Sequence, residues 1–223
     1  MSPNARNETP ISVDAYKRTL IQSVAIAGPV SLAIWLGLAF GLPPIAGMEE
    51  PVARIVFALK CCCLAVLFAF VTGVEAVAHE RLHSAAIDPL TGFETRRMRI
   101  NLRYLQHTLE QLLVFTPGLL ALAGMVSGGE GMRTVVAVTV VWILSRFAFW
   151  IGYHFGAQHR AWGMAGMVQS MLVLFYVAAR FGWEVAGFAG AAAPILLFIL
   201  IEVALFRLTA TPSPPASQAS TSL

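Results

Sequence analysis

The stretch TVVAVTVVWILSRFAFWIGYHFGA, residues Thr134–Ala157, carries one arginine, Arg146, among mostly apolar side chains. A helix of about 20 residues crosses the ~30 Å hydrocarbon core of a bilayer, so this stretch is long enough to span it. A charge in the middle of a span is costly and normally faces protein or a water-filled cavity. The stretch therefore predicts a membrane-spanning helix with one polar face.

The rest of the chain has the same character. Of its 223 residues, 57% are hydrophobic and 12% charged, and its mean hydropathy is +0.72. A water-soluble fold cannot cover so much apolar surface, and an all-α membrane protein is expected. The predicted spans are Leu20–Ala46, Ile55–His79, Tyr104–Val126, Thr134–Ala157, Ala161–Ala179 and Val185–Phe206. The short segment 180–184 predicts that the last two spans form an antiparallel hairpin.

The basic residues predict the orientation. Short loops rich in lysine and arginine stay on the cytoplasmic side. With both termini cytoplasmic, ten of these residues fall inside and four outside: Arg6, Lys17, Arg18, Arg81, Arg96, Arg97, Arg99, Arg103, Arg160 and Arg207 against Arg54, Lys60, Arg133 and Arg180. Membrane orientation therefore accounts for the basic residues and the net charge of +3, and no nucleic-acid partner is needed to explain them. Residues 1–19 are expected to be a cytoplasmic segment, and residues 208–223, rich in Ser, Thr, Pro and Ala, a disordered tail.

Two of the predicted spans carry polar stripes. In the third span the stripe is Arg103, His107, Glu110 and Gln111, and in the fourth it is Arg146, Phe149, Tyr153 and Arg160. Their spacings place each set on one helical face, at the same side of the membrane. Guanidinium groups suit carboxylates, a glutamate suits an ammonium group, and a tyrosine adds a hydroxyl. The stripes predict a site for a small zwitterion with extra carboxylates, or polar pairing that only joins the helices.

The same two segments resemble a known family. Residues Arg103–Glu110 are similar to the Arg-x-x-x-Asn-x-x-Glu signature of the membrane-associated proteins in eicosanoid and glutathione metabolism (MAPEG), which include the microsomal glutathione transferases. Residues Ser145–Tyr153 resemble the Ala-Arg-x-x-x-x-x-Gly-Tyr signature of that family, with Arg160 seven residues beyond the tyrosine. The resemblance covers roughly Ile55–Arg180.

The resemblance implies a four-helix membrane bundle that assembles as a homotrimer, with glutathione as co-substrate between neighbouring subunits near the cytosolic face. The four-helix domain is expected over residues 55–182. Residues 20–54 are then an additional N-terminal transmembrane helix with its loop, and residues 183–207 an additional C-terminal transmembrane helix. A lipophilic small molecule that enters from the bilayer is the expected second substrate of a transferase or peroxidase.

The resemblance also implies roles for individual residues. Arg160 is expected beside the glutathione sulfur, where a fixed positive charge lowers the pKa of the thiol and favours the nucleophilic thiolate. Arg81, at the end of the preceding helix, is a candidate for an arginine that members carry there. The expected glutathione-binding residues are Arg103, His107, Glu110, Gln111, Arg146 and Tyr153, and the expected catalytic residues are Arg160 and Arg81.

Two residues depart from the family pattern. His107 replaces the signature asparagine, and Phe149 stands where some members have a tyrosine that contacts glutathione. These departures leave a second hypothesis open, a non-catalytic member that binds lipid or serves as a scaffold.

A competing motif precedes the basic loop. His79-Glu80-Arg81-Leu82-His83 matches H-E-x-x-H, which on a helix can place two imidazoles for zinc beside a glutamate base. A third ligand would have to come from Glu75, Asp88, His107 or His154, none of which lies in a recognisable peptidase context. We expect no metal site here and interpret Cys61, Cys62 and Cys63 as small packing or lipid-facing residues, with a membrane metallopeptidase kept as the lesser alternative.

Overall fold

Five helices in the described part of the chain are long and apolar enough to cross a membrane. The computed structural model describes residues 13–209, except Pro89 and Thr91. The helices are α1 Val13–Gly41, α2 Pro51–Leu82, α3 Arg96–Met125, α4 Gly128–Phe155 and α5 Met164–Thr209. The prediction of an all-α membrane protein is confirmed. The described residues divide into two compact units, one up to Val173 and one from Leu174, which are described separately below.

Several helices extend beyond the predicted apolar spans. Helix α3 begins at Arg96 instead of Tyr104, because the hydroxyl of Thr95 accepts a hydrogen bond from the backbone N–H of Met98 at 3.0 Å and caps the helix. Pro51 opens α2 at a position where a proline costs no hydrogen bond. Helix α1 begins at Val13, inside the segment predicted to precede the first span. Residues 1–12 and 210–223, to which most of both predicted tails belong, lie outside the described residues.

Helix α2 contains one irregular stretch, the π-helical turns of Val66–Val71. The hydroxyl of Tyr104, on α3, donates a hydrogen bond to the carbonyl of Ala69 in this stretch at 2.8 Å. The Tyr104 ring is fully buried and lies against Gly73, where the first atom of a side chain would come within 2.9 Å of the ring. A polar contact inside the membrane therefore fixes α3 against α2.

The core of the first unit lies between α2, α3 and α4. Helix α2 contributes small side chains, which let the other two helices approach closely. The buried core residues are Ala58, Cys61, Cys62, Ala65 and Ala69 of α2, Leu112, Phe115, Leu119, Leu122 and Ala123 of α3, and Met132, Val135, Val138 and Trp142 of α4. Cys61 and Cys62 are thus packing residues, whereas Cys63 is exposed. Many large apolar side chains of these helices are exposed, as lipid contact requires.

Helix α1 packs along α4 and along a short 3₁₀ segment, Ala157–Gly163, that follows it. At one end of this pair, Arg133 of α4 donates to the carbonyl of Leu42 at 3.0 Å. At the other end, the hydroxyl of Tyr16 donates to the carbonyl of Ala157 at 3.4 Å. The additional N-terminal helix therefore runs antiparallel to α4 over its whole length.

Helix α5 breaks at Ala186 and Gly187, and the second unit is a helical hairpin formed by residues on either side of this break. Gly187 has a φ of 58°, in the left-handed region that favours glycine. The rings of Phe175 and Phe198 lie 5.0 Å apart across the hairpin. The predicted hairpin is present, but its predicted turn at residues 180–184 is wrong, because the helix continues through that segment to Ala186.

Candidate functional site

One end of the first unit is rich in arginine, with Arg81, Arg96, Arg97 and Arg99. This basic end is formed by the last turn of α2, the first turn of α3 and the last turn of α4. The buried carboxylate of Glu80 accepts hydrogen bonds from Thr95, at 2.9 Å, and from the guanidinium of Arg97, with which it forms an ion pair. Arg96 donates from both terminal nitrogens to the carbonyl of His154, each at 3.3 Å. These bonds tie the ends of the three helices together.

The polar stripe predicted on α3 is present as a chain of hydrogen bonds. Arg103 donates to Gln106 at 3.1 Å, and Gln106 donates to Glu110 at 3.1 Å. The ring Nδ1 of His107 lies 3.2 Å from the other carboxylate oxygen of Glu110. Arg103 and Glu110 are exposed and His107 is half-buried, so the chain lies on an accessible surface.

The stripe on α4 joins this surface through aromatic contacts. The His107 ring lies 5.8 Å from the Phe149 ring, edge to face, and Phe149 lies 5.7 Å from Tyr153. The Tyr153 hydroxyl makes no hydrogen bond to another described residue and is available to a ligand. We call the surface formed by Arg103, His107, Glu110, Phe149 and Tyr153 the α3–α4 polar face.

Arg146 belongs to the same predicted stripe but points into the helix interface, where it is completely buried. Its Nε and Nη2 donate to the hydroxyl of Thr108 at 3.3 and 3.1 Å, and the guanidinium stacks 4.4 Å from the Phe149 ring centre and 5.4 Å from that of Tyr104. Its Nη1 is buried without a partner among the described residues. Arg146 therefore lies behind the α3–α4 polar face, out of reach of solvent.

Gln111 lies one turn beyond His107 and is half-buried. Its side-chain oxygen is buried, and no described residue donates a hydrogen bond to it.

Arg160 lies on the 3₁₀ segment after α4 and is exposed, with no hydrogen bond or ion pair to another described residue. The segment folds back against α4 because two glycines leave room for it. A first side-chain atom at Gly152 would come within 2.2 Å of the His159 carbonyl oxygen, and one at Gly163 within 2.3 Å of the Phe149 side chain. Arg81, the other predicted catalytic residue, is half-buried in the last turn of α2, next to Glu80.

The basic end also contains a cavity of about 300 Å³ between α2, α3 and α4. Its lining includes both histidines and the glutamate of the H-E-x-x-H motif: the residues are Ala76, His79, Glu80, His83, Arg97, Asn101, Trp150 and His154. Within the described ranges, no three His, Cys, Asp or Glu side chains are close enough to share a metal ion. The Glu80 carboxylate is held by Thr95 and Arg97.

The sequence interpretation missed the inner polar residues of α3. Asn101, Tyr104 and Thr108 are buried and face α2 and α4, with Asn101 accepting a hydrogen bond from the indole of Trp150 at 2.9 Å. Their spacing of three and four residues is itself a helical stripe and was visible in the sequence. A search for stripes of all hydrogen-bonding residues, instead of mainly charged ones, would have found them.

Comparison with known families matches the part of the chain that carries these features. The family model described as "MAPEG family" matches residues 53–180, which include nearly all of α2, all of α3 and α4, and the first part of α5. No curated protein and no solved structure matches the chain.

Proposed function

The chain belongs to the MAPEG family, and we propose that it binds glutathione on the α3–α4 polar face. In the proposed reaction the glutathione sulfur is either bonded to a lipophilic substrate or oxidised by a lipophilic peroxide. The observation that carries the proposal is the juxtaposition of the His107–Glu110 pair with Tyr153 on the neighbouring helix. An imidazole, a carboxylate and a hydroxyl lie on one face there, with the Phe149 ring between His107 and Tyr153.

The charges of the polar face suit glutathione, a zwitterion with two carboxylates and one ammonium group. Arg103 is exposed and can hold a carboxylate through two parallel hydrogen bonds. Glu110 can accept the ammonium group, and the free hydroxyl of Tyr153 can donate to a carboxylate or to the sulfur. His107 and Gln111 complete the proposed binding residues.

Arg160 is the proposed catalytic residue. A guanidinium near the sulfur favours loss of the thiol proton to water, and the thiolate is the reactive nucleophile. In a transferase reaction the sulfur forms a bond to an electrophilic carbon of the lipophilic substrate, and that carbon either releases its leaving group or, in an addition across a double bond, its neighbour takes up a proton. In a peroxidase reaction the sulfur attacks one peroxide oxygen, the O–O bond breaks and an alcohol is released. The glutathione sulfenic acid formed then reacts with a second glutathione to give the disulfide and water. Arg81 is proposed as a second cation at the same membrane side. The buried Arg146 is proposed to act through Phe149 and Thr108, which it holds in place.

We also propose that the site is completed by another copy of the chain in a homotrimer. The exposed α3–α4 polar face supports this proposal, since a neighbouring subunit would bury a face that a single chain leaves open. The mass of the detergent-solubilised protein, measured by light scattering with correction for bound detergent, tests it. A monomeric mass under conditions that preserve glutathione binding would contradict it.

The chain is an integral multi-pass membrane protein, and we propose that both termini face the cytoplasm. The excess of arginine at the basic end supports this orientation. Reporter enzymes that are active only in the cytoplasm, fused in turn to each terminus, would test it.

The decisive experiment compares Arg160→Ala with wild type and with the control Arg99→Ala, an exposed arginine outside the polar face. Calorimetry measures glutathione binding, and ultraviolet difference absorbance measures the bound thiolate. We expect wild type and Arg99→Ala to bind glutathione as thiolate, and Arg160→Ala to bind it as thiol. An undiminished thiolate signal in Arg160→Ala would remove Arg160 from the proposed role.

A second candidate function is a non-catalytic member that binds lipid or serves as a scaffold. Phe149 favours it, because this ring at the centre of the polar face offers no hydroxyl to glutathione and packs on Arg146 instead. Absence of glutathione binding at millimolar concentration, with the protein folded, would favour this function over the enzyme.

A further inference from the structure

The cavity at the basic end lies apart from the proposed glutathione site and is lined by different residues of the same helices. His79 belongs to the last turn of α2, and His83 follows that helix directly. Arg97 belongs to the first turn of α3 and His154 to the last turn of α4. Because all three helices are membrane spans, their ends lie at the depth of the lipid headgroups. Trp150, which also lines the cavity, is of a type enriched at that depth.

Some polar groups of the lining already have partners. Glu80 accepts hydrogen bonds from Thr95 and Arg97. Asn101 accepts a hydrogen bond from Trp150 at 2.9 Å and donates one to the carbonyl of Ala76 at 3.4 Å. The only carboxylate of the lining is therefore neutralised, and the asparagine is occupied on both sides.

The groups left over for a ligand are mainly donors and cations. They are the two terminal guanidinium nitrogens of Arg97 and the imidazoles of His79, His83 and His154. His83 donates its Nδ1 proton to the carbonyl of His79, at 2.8 Å, so its free Nε2 can donate to a ligand only when the ring is an imidazolium. His79 lies 3.7 Å from the exposed carboxylate of Glu75, outside the lining. A ligand that carries negative charge and several acceptor oxygens would match this set.

The helix ends also affect an anion in the cavity. The N-terminus of α3 attracts it, whereas the C-termini of α2 and α4 repel it. Arg96 offsets part of that repulsion, because its guanidinium covers the terminal carbonyl of His154.

We infer that this cavity binds the phosphate of an anionic phospholipid, with Arg97, His83 and His154 as its donors. Basic pockets between membrane helices are suited to anionic headgroups. A volume of about 300 Å³ accommodates a phosphate with its glycerol, while the acyl chains remain in the bilayer. This inference does not depend on glutathione binding, and it gives the H-E-x-x-H segment a role that needs no metal.

Native mass spectrometry of the full chain in detergent tests the inference by titration with phosphatidylglycerol or phosphatidylcholine of matched acyl chains. The test variant combines His83→Ala with His154→Ala, and Arg99→Gln is the control for general surface charge. We expect wild type and Arg99→Gln to prefer phosphatidylglycerol. The double variant should bind that lipid about tenfold more weakly, since it loses donors to a charged group. Phosphatidylcholine binding should not change.

Three results would overturn the inference. Equal binding of the two lipids by wild type would show that the protein does not prefer anionic lipids. An unchanged preference in the double variant would show that the lipid does not bind in this cavity. Displacement of the lipid by inorganic phosphate at equal concentration would assign the site to a soluble phosphate. If the double variant does not fold, His83→Ala alone replaces it. That side chain is exposed, so the single variant should fold and should show a smaller weakening in the same direction.

Discussion

The guanidinium of Arg146 donates two hydrogen bonds to the hydroxyl of Thr108, and both residues are completely buried between α3 and α4. The Thr108 hydroxyl in turn donates to the carbonyl of Tyr104 at 2.6 Å. The buried charge of Arg146 is thus stabilised by a single side-chain hydroxyl and by the faces of two aromatic rings. Arg146 also supports Phe149, the ring between His107 and Tyr153 on the polar face.

Thr108→Val keeps the shape of the side chain and removes the acceptor. We expect the free energy of unfolding to fall by about 2–3 kcal/mol, because a buried charged group loses its hydrogen-bond partner. Thermal unfolding in detergent measures the effect. Thr139→Val is the matched control: Thr139 is also buried and donates to the carbonyl of Val135 at 2.8 Å, but no charge depends on it. Equal losses in the two variants would contradict the special role of Thr108.

Hydropathy predicted where the membrane helices lie, because the cost of placing polar groups in hydrocarbon governs the length of each apolar run. It did not predict where the helices end. Helix α3 gains its first turns from the Thr95 cap, outside the apolar run. Helix α5 continues through Arg180 and Glu184, which are good helix formers, and breaks only at Gly187, where a positive φ is needed.

The candidate site was predictable as a set of faces, but not as a set of contacts. Spacing correctly placed His107 and Glu110 together on α3, and Phe149 and Tyr153 together on α4. It could not show that Arg146, at the edge of its stripe, turns inward to Thr108. The direction of a side chain at such an edge depends on the neighbouring helix, and helical periodicity contains no information about that neighbour.

Gly152→Ala tests how the segment that carries Arg160 is held against α4. The added methyl group would come within 2.2 Å of the His159 carbonyl oxygen, so the segment must move away from the helix. We expect the thiolate signal of bound glutathione to weaken more than glutathione binding itself, because Arg160 follows His159 directly. Gly37→Ala, where no atom lies within 4 Å of the added group, is the control. A normal thiolate signal in Gly152→Ala would mean that this packing does not position Arg160.

Tyr104→Phe tests the contact between α3 and the π-helical stretch of α2. The variant keeps the ring, which stacks on Trp150 at 5.0 Å, and removes only the hydroxyl that donates to Ala69. We expect a loss of about 1 kcal/mol in the free energy of unfolding, the usual contribution of one hydrogen bond. Tyr176→Phe, at a position that is 46% exposed, should change it little. The same small change in both variants would show that the hydroxyl does not stabilise the π-helical stretch.

Gly190→Ala tests the hairpin of the second unit. Gly182 and Gly190 face each other across the two arms, and a first side-chain atom at Gly190 would come within 2.0 Å of the Gly182 carbonyl oxygen. Because backbone atoms cannot turn aside as a side chain can, the arms must separate, at a cost of about 1–3 kcal/mol. Thermal unfolding in detergent should therefore show a lower midpoint than in Gly37→Ala.

A second experiment measures how readily a polar thiol reagent labels a cysteine introduced by Phe198→Cys. Cys61, Cys62 and Cys63 are replaced by alanine so that only the new cysteine reacts. Its labelling should rise when Gly190→Ala is added, because Phe198 packs on Phe175 across the closed hairpin. Unchanged unfolding and labelling would show that the arms do not need this close approach.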